Sequence, residues 1–194
     1  MSEPSKLLAE IRRCTLCEGL PLGPRPIVQL DARARILIAG QAPGRLTHAK
    51  GVPFDDPSGE RLRDWLGVDR ATFYDASKFA VVPMGFCFPG SGKSGDLPPR
   101  PECAERWREP VLEALPAVAL TLVLGRHAMA WHLGLERRAT LTSVVEGWRA
   151  RWPEHLPLPH PSPRNRRWFA NNPWFEAEVL PVLRGRVAEL LGSG

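Results

Sequence analysis

Val118-Ala119-Leu120-Thr121-Leu122-Val123-Leu124-Gly125 decides the fold: an apolar, partly β-branched run stopped by a glycine. A short run of that kind reads as a strand buried on both faces. Behind it, Ala128, Trp131 and His132 recur at helical spacing. Arg35-Ile36-Leu37-Ile38-Ala39, ending in Gly40, and Phe79-Ala80-Val81-Val82-Pro83 repeat the pattern, and a last strand is expected near 155–159. Between them, helices are expected over 4–12, with Leu7, Leu8 and Ile11 on one face, and from Ser58, with Leu62, Trp65 and Leu66 inward. Others should cover 102–115 and 173–191. Ser58 reads as an N-cap, Pro110 as a break or kink, and Pro181 as an interruption. Strands alternating with helices give an α/β fold with a largely parallel sheet.

The chain has 194 residues, 43% hydrophobic and 24% charged, so a real core is expected rather than disorder. With no repeat or interdomain linker visible, residues 1–194 read as one domain. The 21 prolines and 17 glycines imply long, stiff loops. No apolar run approaches the ~20 residues of a membrane span. The N-terminal residues lack the order of a signal peptide, and a cytoplasmic location is the expectation. A net charge of +5 favours polyanionic partners, although arginine-biased composition would give the same figure. Seven tryptophans and seven phenylalanines supply rings for a core or for base stacking.

The four cysteines are Cys14, Cys17, Cys87 and Cys103. A C-x2-C pair in a cytoplasmic chain suits a thiolate metal site better than disulfides. Zinc ribbons use two short knuckles, which the wide separation of Cys87 from Cys103 does not provide. Irregularly spaced thiolates suit an iron–sulfur cluster better, and [4Fe–4S] is preferred to zinc.

In such sheets ligands collect beyond the C-terminal strand ends. Two loops there have unusual composition. Gly40-Gln41-Ala42-Pro43-Gly44 follows the first strand and allows close backbone approach to a ligand. His160-Pro161-Ser162-Pro163-Arg164-Asn165 is a proline-clamped loop with one imidazole and one guanidinium. Each also fits a plain turn. Gly92-Lys93-Ser94 imitates the end of a phosphate-binding P-loop, but the motif needs glycine where Cys87 stands, and nucleotide hydrolysis is rejected.

Taken together, these motifs resemble the uracil-DNA glycosylase superfamily and, within it, the iron–sulfur families 4 and 5. The likeness runs from about residue 10 to residue 183. It rests on the cysteine spacing, the G-E-A-P-G-like loop 40–44, Gly51-Val52-Pro53-Phe54, the strand and helix around 123–130, and His160-Pro161-Ser162-Pro163. The resemblance implies a three-layer αβα fold with a central, mostly parallel four-stranded sheet. It also implies a monomeric, monofunctional enzyme that removes uracil, or another deaminated or damaged base, from single- or double-stranded DNA to begin base-excision repair.

By the same resemblance, Phe54 stacks on the flipped base and His160 hydrogen-bonds its carbonyl oxygen. Gly40, Gln41, Ala42, Pro43 and Gly44 form the pocket floor. Ser162, Pro163 and Arg164 wedge into the duplex, Arg166, Arg167 and Trp168 continue the DNA-facing edge, and Lys93 touches a phosphate. Cys14, Cys17, Cys87 and Cys103 hold a [4Fe–4S] cluster of structural role. On the residues alone, Phe54 also fits a core position and the arginines a solvated face.

Two departures stand out. Gln41 replaces the family 4 glutamate, and a neutral amide cannot act as a general base. Asp56, and less so Asp55, is then the candidate for water activation, although either also suits a helix cap. Pro83 occupies the position of the family 4 base-reading asparagine, which opens the choice of base. A non-catalytic iron–sulfur DNA-binding protein on the same scaffold is the alternative, and a zinc-bound regulator is a third.

Overall fold

A computed structural model describes residues 3–93, 95–135 and 138–192. The main strands are β1 (Ile36–Ala39) and β2 (Phe79–Val81), with a small hairpin of β3 (Ser91–Gly92) and β4 (Gly95–Asp96), then β5 (Leu120–Leu124) and β6 (His155–Leu158). The α-helices are α1 (Glu3–Arg12), α2 (Arg45–Lys50), α3 (Pro57–Leu66), α4 (Arg70–Phe73), α5 (Pro101–Glu113), α6 (Gly125–Leu133), α7 (Leu141–Glu146), α8 (Arg166–Asn171) and α9 (Leu180–Gly192).

The expected α/β architecture is present. Four strands form one sheet in the order β2-β1-β5-β6, every pair parallel. Ile36 stands opposite Phe79 on one side and Leu120 on the other. All residues of β1, β2 and β5 are buried, which explains their unbroken apolar runs.

Strand alternation sorts the core into two layers. Ile36, Ile38, Phe79 and Val81 face a cluster with Leu62, Trp65 and Leu66 of α3 and Leu183, Val187 and Leu190 of α9. Leu37, Ala80 and Val82 face the opposite cluster, with Ile11 of α1 and Cys103, Trp107 and Val111 of α5. Helices thus cover both faces. Gln29 exchanges backbone hydrogen bonds with Val81 at 3.0 and 2.7 Å and so covers the free edge of β2.

Three local readings change. The cap of α3 is Asp56, whose side chain accepts from the Gly59 N–H, with Pro57 as first helical residue. Ser58 is buried in the first turn instead. Helix α5 runs unbroken through Pro110, because Trp107 and Val111 on either side of it are anchored in the core. The C-terminal interruption lies earlier than Pro181. Residues 175–179 form a wide π turn, closed by the Leu180 N–H donating to the Phe175 carbonyl, and Pro181 falls in the first turn of α9. The segment around Gly92 and Lys93 is a hairpin, not a strand–loop–helix, and Ser94 lies outside the described residues. No helix among the described residues is long and apolar enough to cross a membrane.

Candidate functional site

Beyond the C-terminal ends of β1, β2 and β6 lies a cavity of about 640 Å³, of the size that takes a small organic ligand. Its walls bring together Gly40, Gln41, Ala42, Pro43 and Gly44 with Phe54, Asp56, His160, Ser162, Pro163 and Arg164, residues far apart in the chain. Pro83 lines it as well. Backbone pairing continues past the strands, with Met84 N–H donating to Gly40 O and Gly85 N–H to Gln41 O, both at 2.9 Å. The first loop is therefore held as an extension of the sheet.

Phe54 takes a left-handed backbone conformation, φ 54°, which a bulky residue adopts only under constraint. The constraint is visible. A methyl group on Gly59 would stand 1.7 Å from the Phe54 carbonyl oxygen, so only glycine admits the loop there. Arg63 donates to that oxygen at 3.4 Å, and Tyr74 donates to Pro53 O at 3.0 Å. The ring, so placed, lies 6.4 Å from the His160 ring and 28° from coplanar with it.

His160 is positioned by its own loop and by α3. Its Nδ1 accepts from the Ser162 N–H at 3.2 Å, so the neutral ring carries its proton on Nε2. Asn165 donates to its carbonyl at 2.7 Å, and Arg61 reaches across to Ser162 O at 3.3 Å. Burial pushes the His160 pKa below the ordinary histidine value, against the raising influence of the Asp56 and Asp96 charges.

The remaining candidates divide. Asp55 does not line the cavity. Its carboxylate pairs with Arg70 at 2.7 Å and Lys50 at 3.3 Å, which lowers its pKa, chiefly through the Arg70 hydrogen bond. Lys93, Arg166 and Arg167 are exposed and stand outside the cavity wall. Trp168 is turned inward, donating to Thr142 Oγ1 at 2.9 Å and packing edge-on against Phe169, Trp174 and Phe175. Sequence reasoning missed Ser91, Gly95 and Asp96, which also line the cavity. A short glycine-rich hairpin carries no periodic signal that would have announced them.

A second, smaller cavity is lined by all four cysteines, with Leu16, Leu20, Pro24, Pro26, Phe86 and Arg100. None is in a disulfide. Trp107 Nε1–H donates to Cys14 Sγ and the Phe86 N–H to Cys103 Sγ, each at 3.3 Å. The Arg100 guanidinium lies toward Cys17 and the Arg25 backbone N–H toward Cys87, each favouring the thiolate. Burial pushes the Cys103 thiol up to about 12 and Cys87 to about 11. Among the described residues no three His, Cys, Asp or Glu side chains are grouped to hold a metal ion.

Fold and cavity define an α/β protein with a ligand-sized cavity at the C-terminal edge of a parallel sheet. Residues 27–184 match the model of the uracil DNA glycosylase superfamily, and the chain belongs to that superfamily. The solution structure of a candidate uracil DNA glycosylase from Methanosarcina acetivorans shares the fold. The TM-score is 0.53 at 20% identity, covering 84% of this chain and 97% of that one.

Proposed function

We propose that this protein is a monofunctional DNA glycosylase that hydrolyses the N-glycosidic bond of uracil, or of another deaminated or damaged base, and so begins base-excision repair. The observation that carries the reading is the Ser162-to-His160 hydrogen bond. It leaves an Nε2–H donor in a cavity whose other walls are an aromatic ring and the backbone of residues 40–44. That is what departure of a base as an anion requires: a flat face to receive it and a donor for its carbonyl oxygen.

The sugar becomes positively charged as the base leaves, and Asp56 supplies a carboxylate in the same cavity. Asp55, spent on Arg70 and Lys50, has no part in the reaction. Ser162, Pro163 and Arg164 form the rim that enters the duplex, with Arg166, Arg167 and Lys93 contacting phosphates. Pro83 offers no side-chain donor to the base edge, so selectivity for uracil over other deaminated bases is expected to be weak.

Cys14, Cys17, Cys87 and Cys103 would hold a [4Fe–4S] cluster. Four thiols around one cavity, two of them receiving an N–H donor, fit a body whose separate irons each take one thiolate, more than a single tetrahedral ion. The cluster's contribution is to tie the chain after α1 to the loop after β2 and to α5.

The test is excision by cluster-loaded protein. Single- and double-stranded oligonucleotides with uracil, hypoxanthine or xanthine are incubated with it and examined for alkali-labile breaks, alongside iron and sulfide determination. Cleavage at any base supports the reading, and silence with all of them, in protein that still binds DNA, overturns it.

A further inference from the structure

The β3–β4 hairpin is set into the chain between Cys87 and Cys103 and leans on the cavity mouth. Gln41 Nε2 donates to Leu97 O at 3.2 Å, which latches the end of the hairpin to the first loop. Leu97 N–H donates to Gly90 O at 2.8 Å, and Ser91 Oγ to Asp96 Oδ1 at 3.1 Å. A methyl group on Gly44 would stand 3.3 Å from Asp96 Oδ2, so the carboxylate lies close over that Cα. On the other side, a methyl on Gly95 would lie 2.7 Å from Arg164 Nη1. The hairpin therefore fills the gap between the two motif loops.

Two carboxylates line the cavity, Asp56 and Asp96. Asp56 Oδ1 accepts from the Gly59 N–H at 2.8 Å and is settled as the cap of α3. Asp96 has no cation partner among the described residues, and its Oδ2 accepts no hydrogen bond from them. An unpaired carboxylate at the entrance for a polyanion opposes binding, unless its charge acts in the reaction. Gln41, in the first loop, is an amide and cannot take a proton.

We propose that Asp96, brought to the cavity by the hairpin that Gln41 latches, is the catalytic residue that orients and deprotonates the attacking water. The inference rests on the hydrolytic reading above. In the step, the C1′–N bond breaks and its electron pair leaves with the base. The water oxygen bonds to C1′, and one water proton passes to Asp96 Oδ2. The deoxyribose is left with a C1′ hydroxyl, and Asp96 returns its proton through solvent to the base anion. Atoms and charge balance without a further reactant.

Two substitutions separate charge from structure. Asp96→Asn keeps an acceptor for Ser91, and Asp56→Asn keeps a helix cap. Single-turnover excision is measured from about pH 5 to about pH 9 on oligonucleotides with whichever of uracil, hypoxanthine or xanthine the wild type removes. Binding is followed by fluorescence anisotropy with a 2′-fluorinated, uncleavable nucleotide. Asp96→Asn is expected to slow excision by about 100-fold or more and to bind DNA as tightly or more tightly. Asp56→Asn, which removes a charge facing the sugar but not the water-activating group, is expected to lose rate by a factor about 10-fold smaller than Asp96→Asn does. An Asp96→Asn rate within about 3-fold of wild type, or the full loss falling on Asp56→Asn, overturns the assignment while leaving the glycosylase reading intact. A wild type that removes no base overturns both.

Discussion

The Ser162 N–H donates to His160 Nδ1 at 3.2 Å and thereby leaves Nε2–H as the ring's only donor. The backbone of the loop, not a carboxylate, sets the tautomer. Burial lowers the His160 pKa, so the ring stays neutral through neutral pH and acts as a hydrogen-bond donor rather than a cation. Replacing His160 with alanine should cut single-turnover excision by about 10²- to 10³-fold, the usual cost of one donor to a developing anion. Affinity for DNA should change little. Rapid-quench excision and anisotropy titrations on the same variant check both halves.

Gly59→Ala tests the strain at Phe54. Because the new methyl would meet backbone 1.7 Å away, neither loop nor helix can give without losing the left-handed turn. Stability should fall by roughly 3 kcal/mol, and excision should fall with it. Urea denaturation measures the first and the excision assay the second.

Arg164 and Arg166 are exposed on the rim, Arg164 lining the cavity and Arg166 beginning α8. Changing both to alanine should weaken DNA binding at low salt. The slope of log affinity against log salt should fall by about 0.9 for each phosphate that is no longer neutralised. Titrations at several salt concentrations measure it, and an unchanged slope would place the DNA elsewhere.

A pair away from the cavity, a buried arginine and a half-buried histidine, gives the fold a pH dependence. The Arg108 guanidinium, 1% exposed, bonds Val82 O at 2.8 Å and Pro83 O at 3.2 Å and faces His132 Nε2. Burial first, then the Arg108 charge, lowers the His132 pKa to about 3. The unfolded chain, with an ordinary histidine near ~6.5, binds the proton first. Stability is therefore full above that value and falls as the pH drops toward the folded pKa. At pH 5 the loss from this one residue comes to about 2 kcal/mol. His132→Gln keeps an acceptor without the titration, so its stability should fall less between pH 7.5 and pH 5 by about that amount. Urea midpoints at the two pH values decide it.

Much of this is legible in the chain. The runs 36–39, 79–81 and 120–124 read as buried strands because a parallel sheet covered on both faces admits only apolar residues. Phe54, His160 and the 40–44 loop stand out because stiff, glycine- and proline-rich turns follow those strands directly. Short elements escape: α4 and α7 are capped by Asp69 and Thr140 but are too brief for a periodic signal. A ring beside arginines suits DNA, so the sequence points Trp168 outward, whereas its packing partners Trp174 and Phe175 belong to another turn of chain.

By itself, the sequence determined the α/β alternation, the apolar strands and the residue types on the two motif loops, since these follow from local periodicity and turn chemistry. The tertiary structure decided which carboxylate faces the cavity. Asp55 and Asp56 are neighbours in the chain, yet Arg70 and Lys50 draw one away while the first turn of α3 holds the other. Asp96 reaches the same cavity from a hairpin far from His160 in the chain, latched by Gln41 and close over the Cα of Gly44. Long-range packing of that kind leaves no local pattern, because its partners are chosen by how the folded surfaces meet.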